Sequence, residues 1–426
     1  LVKTSGLDFN PFGPEVAEHD PYLPWYVTQT VYEKAQVTRP LIITGAPGTG
    51  KTATALMLAY DCGHPPANPR MAGTFPVYFA PRLARTISQE NHSTLYLLVR
   101  ATAREILAYL SLRPEGLFDL PPARRDTLRH FLTLVYAGSE TWLSLELERL
   151  PAEVQKALAL LPLLKSRTQP LRLLDEEWLD FLPEVLPAGF NHYLWLVDTP
   201  DHVISFSPET LSIDLSQLMD WAIYLSSFSI YLKLFISEQK LERLATPAGL
   251  RIVRLEWQDK DLKQMLSDRV HQAGVDSLMA LCGPNVETDC EEKLIKTAQG
   301  SPRRLIKLGN ALIESASDRA PKDPQLTWQD FEGALASIRK AEAILKQQAS
   351  KLKLARLHQL LVAHFAEGEL QTLCLELGMD YENLPAIGKA NKARELIEYL
   401  DRRGRLAELV AIGKKQRPNV SWVNES

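Results

Sequence analysis

The stretch RPLIITGAPGTGKTATALMLAY, Arg39–Tyr60, restricts this chain more than any other. Pro40–Thr44 is a short apolar, β-branched run, which predicts a buried parallel strand. Gly45–Gly50 is a glycine-rich turn, and Lys51–Tyr60 predicts an apolar helix. Strand, turn and helix in that order are the setting in which GxxxxGK[ST] binds phosphates. Glycines let backbone N–H groups converge on an anion, and the helix N-terminus adds its dipole. Gly45, Ala46, Pro47, Gly48, Thr49, Gly50, Lys51, Thr52 and Ala53 are therefore the expected nucleotide-binding residues. Lys51 is expected to reach the β- and γ-phosphates, and Thr52 to place its hydroxyl on Mg²⁺. The expected cofactors are ATP and Mg²⁺.

A second, acidic strand is expected wherever this motif works. NHYLWLVDTPDH, Asn191–His202, supplies one: Tyr193–Val197 predicts a strand ending in Asp198, which would hold Mg²⁺ through water. No glutamate follows; Thr199 stands there, and Asp201 lies three residues beyond Asp198. This spacing resembles the hhhhDGxDE strand of STAND ATPases of the NACHT type, with His202 in place of the last acid. The resemblance implies that Asp201 positions the attacking water and that hydrolysis is slow, as suits a switch. The next apolar strand, within Ser229–Gln239, ends at Ser237, where related ATPases carry a polar sensor of the γ-phosphate. AQGSPRRLIKLGNAL, Ala298–Leu312, resembles the GxPR element in the lid of AAA+ and origin-recognition-type ATPases. It implies that Arg303 bridges lid and γ-phosphate. The catalytic set expected is thus Lys51, Asp198, Asp201, Ser237 and Arg303, with Thr52 and Asp198 as metal residues. Arg269 reads as a surface arginine or as a contact to a neighbour's nucleotide.

The remaining text sets the frame. Residues 1–39, rich in proline and aromatics, are expected to pack on the ATPase, either beside the adenine or at the domain edge. Residues 40–250 form the P-loop domain, with a helical insertion at about 90–188; residues 251–345 form a helical lid; residues 346–426 form a separate helical domain. The expected fold is an α/β P-loop NTPase, a parallel sheet flanked by helices, with a helical lid and a C-terminal all-α, death-fold-like bundle. A net charge of −4 argues against nucleic acid as the main partner. The four cysteines show no CxxC spacing and read as free thiols of a reducing cytosol. No apolar run reaches the ~18–20 residues that cross a bilayer, and no signal peptide is visible, so a cytoplasmic location without membrane attachment is expected.

In the tail, Leu370, Leu373, Cys374 and Leu377 share a helical face, as do Ala393, Leu396, Ile397 and Leu400. Charge is segregated: no lysine or arginine stands between Leu357 and Gly388, whereas nine basic and four acidic residues occupy Lys389–Arg417. The block GKANKARELIEYLDRRGRLAEL, Gly388–Leu409, resembles the bacterial effector-associated domains, a death-fold-like group found on proteases, TIR proteins and STAND ATPases. The resemblance implies that ATP-bound homo-oligomers cluster the tail. The tail would then recruit an effector with a matching domain, such as a caspase-like protease or a TIR protein, in a bacterial immune or cell-death pathway. Lys389, Lys392, Arg394, Arg402, Arg403 and Arg405 are the expected partner-binding residues. Two other readings stay open: a DNA-associated AAA+ ATPase such as a loader or transposition regulator, and a nucleotide-binding scaffold that does not hydrolyse.

Overall fold

Near-continuous burial along β-strands that are apolar on both faces builds the centre of the first unit. The computed structural model describes residues 7–13, 30–62, 69–80, 93–137, 140–158, 175–199, 214–286, 290–319, 325–418, 420 and 422. Five parallel strands, β1 (Leu41–Gly45), β2 (Thr74–Phe79), β3 (His192–Asp198), β4 (Ile230–Ser237) and β5 (Arg251–Arg254), lie in the order β2-β3-β4-β1-β5. Ile42, Tyr193, Trp195, Leu232 and Leu234 face one side of the sheet; Ile43, Leu194, Leu196 and Phe235 face the other. Each side is then covered by helices, as a parallel sheet requires. The helices Thr94–Leu112, Pro122–Val135 and Leu215–Leu225 cover the first side; Thr30–Ala35 and the P-loop helix Lys51–Asp61 cover the second.

Two strands lie outside the sequence expectation. β2, with the sequence TFPVYF, falls between the P-loop helix and the expected helical insertion, where no strand was expected. Its Pro76 lacks an N–H, which an edge strand tolerates and a central one does not. β5 is short and mostly exposed, so it shows little apolar signal. It pairs with β1, so the lid boundary placed at residue 251 cuts into the sheet; the chain leaves the sheet only after Arg254.

Lys233 sits in the middle of β4, fully buried on the P-loop-helix side. Its Nζ donates to the carbonyls of Val37 (2.7 Å) and Arg39 (3.5 Å), tying the approach to β1 to the sheet. Burial depresses its pKa to about 7. Nearby, burial chiefly and then the Asp61 charge push the Cys62 thiol up to about 12. Asp61, at the end of the P-loop helix, accepts from Tyr32 Oη (2.5 Å) and Gln36 Nε2 (2.7 Å).

The lid comprises the helices Asp259–Gln272, Cys290–Ala298 and Pro302–Arg319. Residues 7–13 pack on it. Asp8 N donates to Ala273 O (2.9 Å), and Asn10 Nδ2 donates to Asn310 Oδ1 (2.7 Å). Arg269 is buried rather than a surface residue, and its Nη1 donates to Pro11 O (3.1 Å). Phe12 lies on Gly309, where an added Cβ would come within 2.2 Å of the ring. Arg319 closes the lid with a bidentate bond to buried Asp330 (3.0 Å). Burial alone would raise the Asp330 carboxyl, but the bonds from Arg319 and Thr327 outweigh it and hold the pKa below the usual range.

The chain divides into two compact units, residues 1–332 and 333–426, within the helix Trp328–His364. In the second unit that helix is followed by Glu367–Glu376, Lys389–Arg402 and Leu406–Gln416. Leu361, Phe365, Leu370, Leu373, Leu396 and Leu400 form its core. Gly404 adopts a φ of 66°, and Arg405 N then closes on Leu400 O (2.8 Å), which ends the third helix. Trp422 is buried in this core against Phe365 and Gly413. Among the described residues Cys62, Cys290 and Cys374 are buried free thiols, and Cys282 is half-buried with its Sγ 3.8 Å from that of Cys290.

Two outcomes follow from this packing. Gly309→Ala should lower the unfolding free energy by about 1–2 kcal/mol despite its gain in helix propensity, because the Phe12 ring must shift. Urea denaturation measures this, and pairing the change with Phe12→Ala should remove most of the overpacking strain. Lys233 is neutral in the fold above pH about 7 and charged when unfolded up to pH ~10.5. Its contribution to stability is full above the higher value and is lost as pH falls to the lower one. Wild-type stability should therefore rise with pH across that window relative to Lys233→Met, by up to about 1.4 kcal/mol per pH unit.

Candidate nucleotide site and C-terminal face

Strand register places the candidate groups. β4 lies between β1 and β3, with Gly45 opposite Ser237 and Asp198 opposite Phe235. The carboxyl ends of three strands thus bring the P-loop, Ser237 and Asp198 to one edge. Gly48 and Gly50 have φ of 82° and 87°, the left-handed region that L side chains rarely adopt. A Cβ on Gly48 would also lie 2.7 Å from Ser301 Oγ and 3.2 Å from Arg303 Cβ. Lys51 is buried, and its Nζ donates to the carbonyls of Gly45 (3.0 Å) and Ala46 (3.1 Å) of its own loop.

Asp198 is 3% exposed. One of its oxygens, Oδ2, accepts from Thr52 Oγ1 (2.6 Å) and from Tyr78 Oη (3.2 Å). Thr52 and Asp198, the two expected metal residues, are therefore in direct contact. Tyr78 went unrecognised because β2 itself was unrecognised. Thr199 gives both its N–H (3.0 Å) and its hydroxyl (2.9 Å) to Phe235 O. The position after Asp198 is thus turned into the sheet. Asp201 lies outside the described residues.

The lid meets the P-loop at Gly48. Ser301 Oγ and Arg303 N each lie 3.4 Å from its carbonyl, and the Arg303 side chain is exposed. The turn before this helix is unusual, since both Gln299 and Gly300 have positive φ. A third lid contact was not read from the sequence: the buried indole of Trp257 donates to Thr49 O (2.8 Å). A glycine turn leading into a helix N-terminus, a buried lysine, a hydroxyl on a buried carboxylate and an arginine beside the loop fit a nucleoside triphosphate with Mg²⁺. Among the described residues no cluster of three or more His, Cys, Asp or Glu side chains could hold a metal independently.

The six basic residues of the tail separate into two kinds. Lys392 is held internally, with Nζ on Tyr381 O (3.1 Å), near Glu382 (3.3 Å) and over the Tyr381 ring. Arg405 is likewise committed to Glu408 (2.7 Å) and Leu377 O (3.0 Å). These two brace the domain. Arg394, Arg402 and Arg403 are exposed and Lys389 half-exposed; Arg403 lies over the Tyr399 ring and Arg402 bonds Glu398 O. On the acidic side, Glu369 pairs with Arg417 (2.6 Å) and Glu367 accepts from Tyr381 (3.2 Å).

Residues 357–418 match the family model described as Effector-associated domain 7, so the C-terminal unit carries a domain of that kind. A comparison with curated protein sequences found no match. Among solved structures, the chain resembles the Aeropyrum pernix ORC1 protein in complex with DNA, at 15% identity, with 92% of this chain and 88% of the other covered and a TM-score of 0.45. It also resembles the Drosophila ORC bound to DNA (13% identity, 95% and 80% covered, TM-score 0.33). A third is the Thermotoga maritima RuvB Holliday junction branch migration motor (13% identity, 92% and 88% covered, TM-score 0.30). Similarity this low says nothing about what this chain binds. The chain therefore joins a P-loop site on a five-stranded parallel sheet to an effector-associated domain. Among the described residues no helix is long and apolar enough to cross a membrane.

Thr52→Val keeps the shape of the side chain but removes a donor from a buried carboxylate. It should lower the unfolding free energy, measured without nucleotide, by about 1–3 kcal/mol, whereas Thr52→Ser should stay near wild type.

Proposed function

We propose that the chain is an ATP-dependent signalling switch. Nucleotide at the P-loop controls self-association, and the effector-associated domain recruits an effector bearing a matching domain. The observation that supports this most directly is the seating of the lid helix on the P-loop at Gly48, with Arg303 beside it, in a chain that also carries that domain. An arginine at a helix N-terminus is unfavourable to the dipole and is rationalised by an anion. Bound ATP supplies a transferable γ-phosphoryl group, and Mg²⁺ neutralises its charge. Lys51 and the loop N–H groups hold the phosphates, Thr52 and Asp198 hold the metal, and Ser237 and Arg303 report the γ-phosphate to strand and lid. Asp201 is the acid that this reading assigns to orient water, and hydrolysis is slow.

Partner capture would run through Lys389, Arg394, Arg402 and Arg403, whose contacts within the domain are local to their own helix and which stand at its surface. An acidic face on the effector complements them. The setting that this reading favours is a bacterial immune or cell-death pathway, with the protein in the cytoplasm.

The test uses the full chain with ATP, ADP or no nucleotide, and proteins carrying candidate matching domains. Light scattering on a sizing column should show larger assemblies with ATP, and Lys51→Ala should lose them. Reversing Arg402 and Arg403 to glutamate should weaken effector binding at least about tenfold and leave nucleotide affinity intact. Binding to no matching domain in any nucleotide state would sink the recruitment role. Phosphate release that is equal in wild type and Lys51→Ala would sink hydrolysis at this site.

A further inference from the structure

Trp257 occupies a position in the chain that makes its single hydrogen-bond donor consequential. The chain leaves β5 at Arg254, and Leu255 N bonds Thr44 O (2.7 Å), so the next residues run along the base of the P-loop. Gln258 caps the first lid helix: its N–H bonds Asp261 Oδ2 (3.1 Å). Trp257 stands between these two anchors. Its carbonyl also lies against Gly300, where an added Cβ would be 3.3 Å away, at the start of the last lid helix. The side chain is 8% exposed, and its Nε1–H donates to Thr49 O at 2.8 Å.

The peptide bond converts this contact into an orientation of the loop. In a planar trans peptide the C=O of one residue and the N–H of the next point in opposite directions. Fixing the Thr49 carbonyl on the indole therefore fixes the Gly50 N–H in the opposite direction within the same plane. Gly50 has φ of 87° and immediately precedes the P-loop helix, so its N–H is one of the donors that a phosphate at this loop would use. Among the described residues that N–H has no protein acceptor. The neighbouring Gly48–Thr49 peptide is fixed within the loop, where Thr49 N donates to Ala46 O (3.3 Å).

We propose that Trp257 is a positioning residue for the anion cradle. Its indole holds the Thr49–Gly50 peptide so that Gly50 N–H faces the phosphates, and it makes that orientation depend on where the lid lies. This deepens the nucleotide reading above and rests on it. A lid displacement that withdraws Trp257 frees the peptide to rotate. By linkage, a bound phosphate that needs Gly50 N–H draws the lid toward the loop to the same extent.

The test compares Trp257→Phe, which removes the donor, with Trp257→His, which keeps a ring N–H at smaller volume. MgADP affinity of the full chain is read by titration calorimetry. Trp257→Phe should weaken binding about tenfold, equivalent to about 1.4 kcal/mol, and Trp257→His should recover most of it. Wild-type affinity in the Phe variant, or equal weakening in both variants, would overturn the role of the hydrogen bond and leave the nucleotide reading standing. No MgADP or MgATP binding by the unsubstituted chain would overturn both. Should the variants fail to unfold cooperatively, the unsubstituted chain labelled with 5-fluorotryptophan gives a second reading. One of its eight tryptophan fluorine resonances should move with MgADP and stay in place in Lys51→Ala; no movement would overturn the proposal.

Discussion

The parallel pairing of β1 with β4 is the constraint on which the rest of the structure depends. It puts the end of the P-loop strand beside Ser237 and leaves Asp198 one strand further on, within reach of Thr52. No loop has to be positioned independently to bring these groups together. The cost is a sheet buried on both sides, and the chain meets it with apolar residues at nearly every central position. Lys233 is the exception. Its amine stands where an apolar side chain would be ordinary, and two backbone carbonyls on the approach to β1 receive it. The strand that sets the register thereby also anchors the segment that enters the P-loop strand.

Residues with strong local chemistry were legible in the sequence. β1, the P-loop helix and β3 appear within a residue or two of where their apolar runs place them. The tail helices likewise follow their 3.6-residue period. What escaped has a physical reason. β2 contains a proline, and β5 has one buried residue in four, so neither carries a clear period-two signal. Tyr78 and Trp257 could not be placed before those strands were. Arg269 reads as a surface charge because nothing local reveals that Pro11, far away in sequence, offers its carbonyl. A contact between distant segments leaves no periodic trace.

The tail shows how charge count and charge availability differ. Lys392 and Arg405 belong to the same basic run as Arg394 and Arg403, yet each is fastened by at least one backbone carbonyl and one carboxylate of its own domain. Such bonds cost long side chains their rotamer freedom and return stability to the fold. Arg394, at 3.9 Å from the exposed Glu398 of its own helix, is held far more loosely and stays at the surface. Composition gives the sign of a surface, but only packing tells which of its charges another molecule can meet.

The seating of Phe12 on Gly309 gives the first residues of the chain a standing that their place in sequence conceals. Together with the bonds from Asp8, Asn10 and Arg269, it fastens residues 7–13 to the lid helices, although they precede the first strand. The lid is therefore assembled from two separate pieces of chain. Cutting away that opening segment would be surgery on the lid, exposing a glycine-floored groove along Pro302–Arg319, rather than the trimming of a connector.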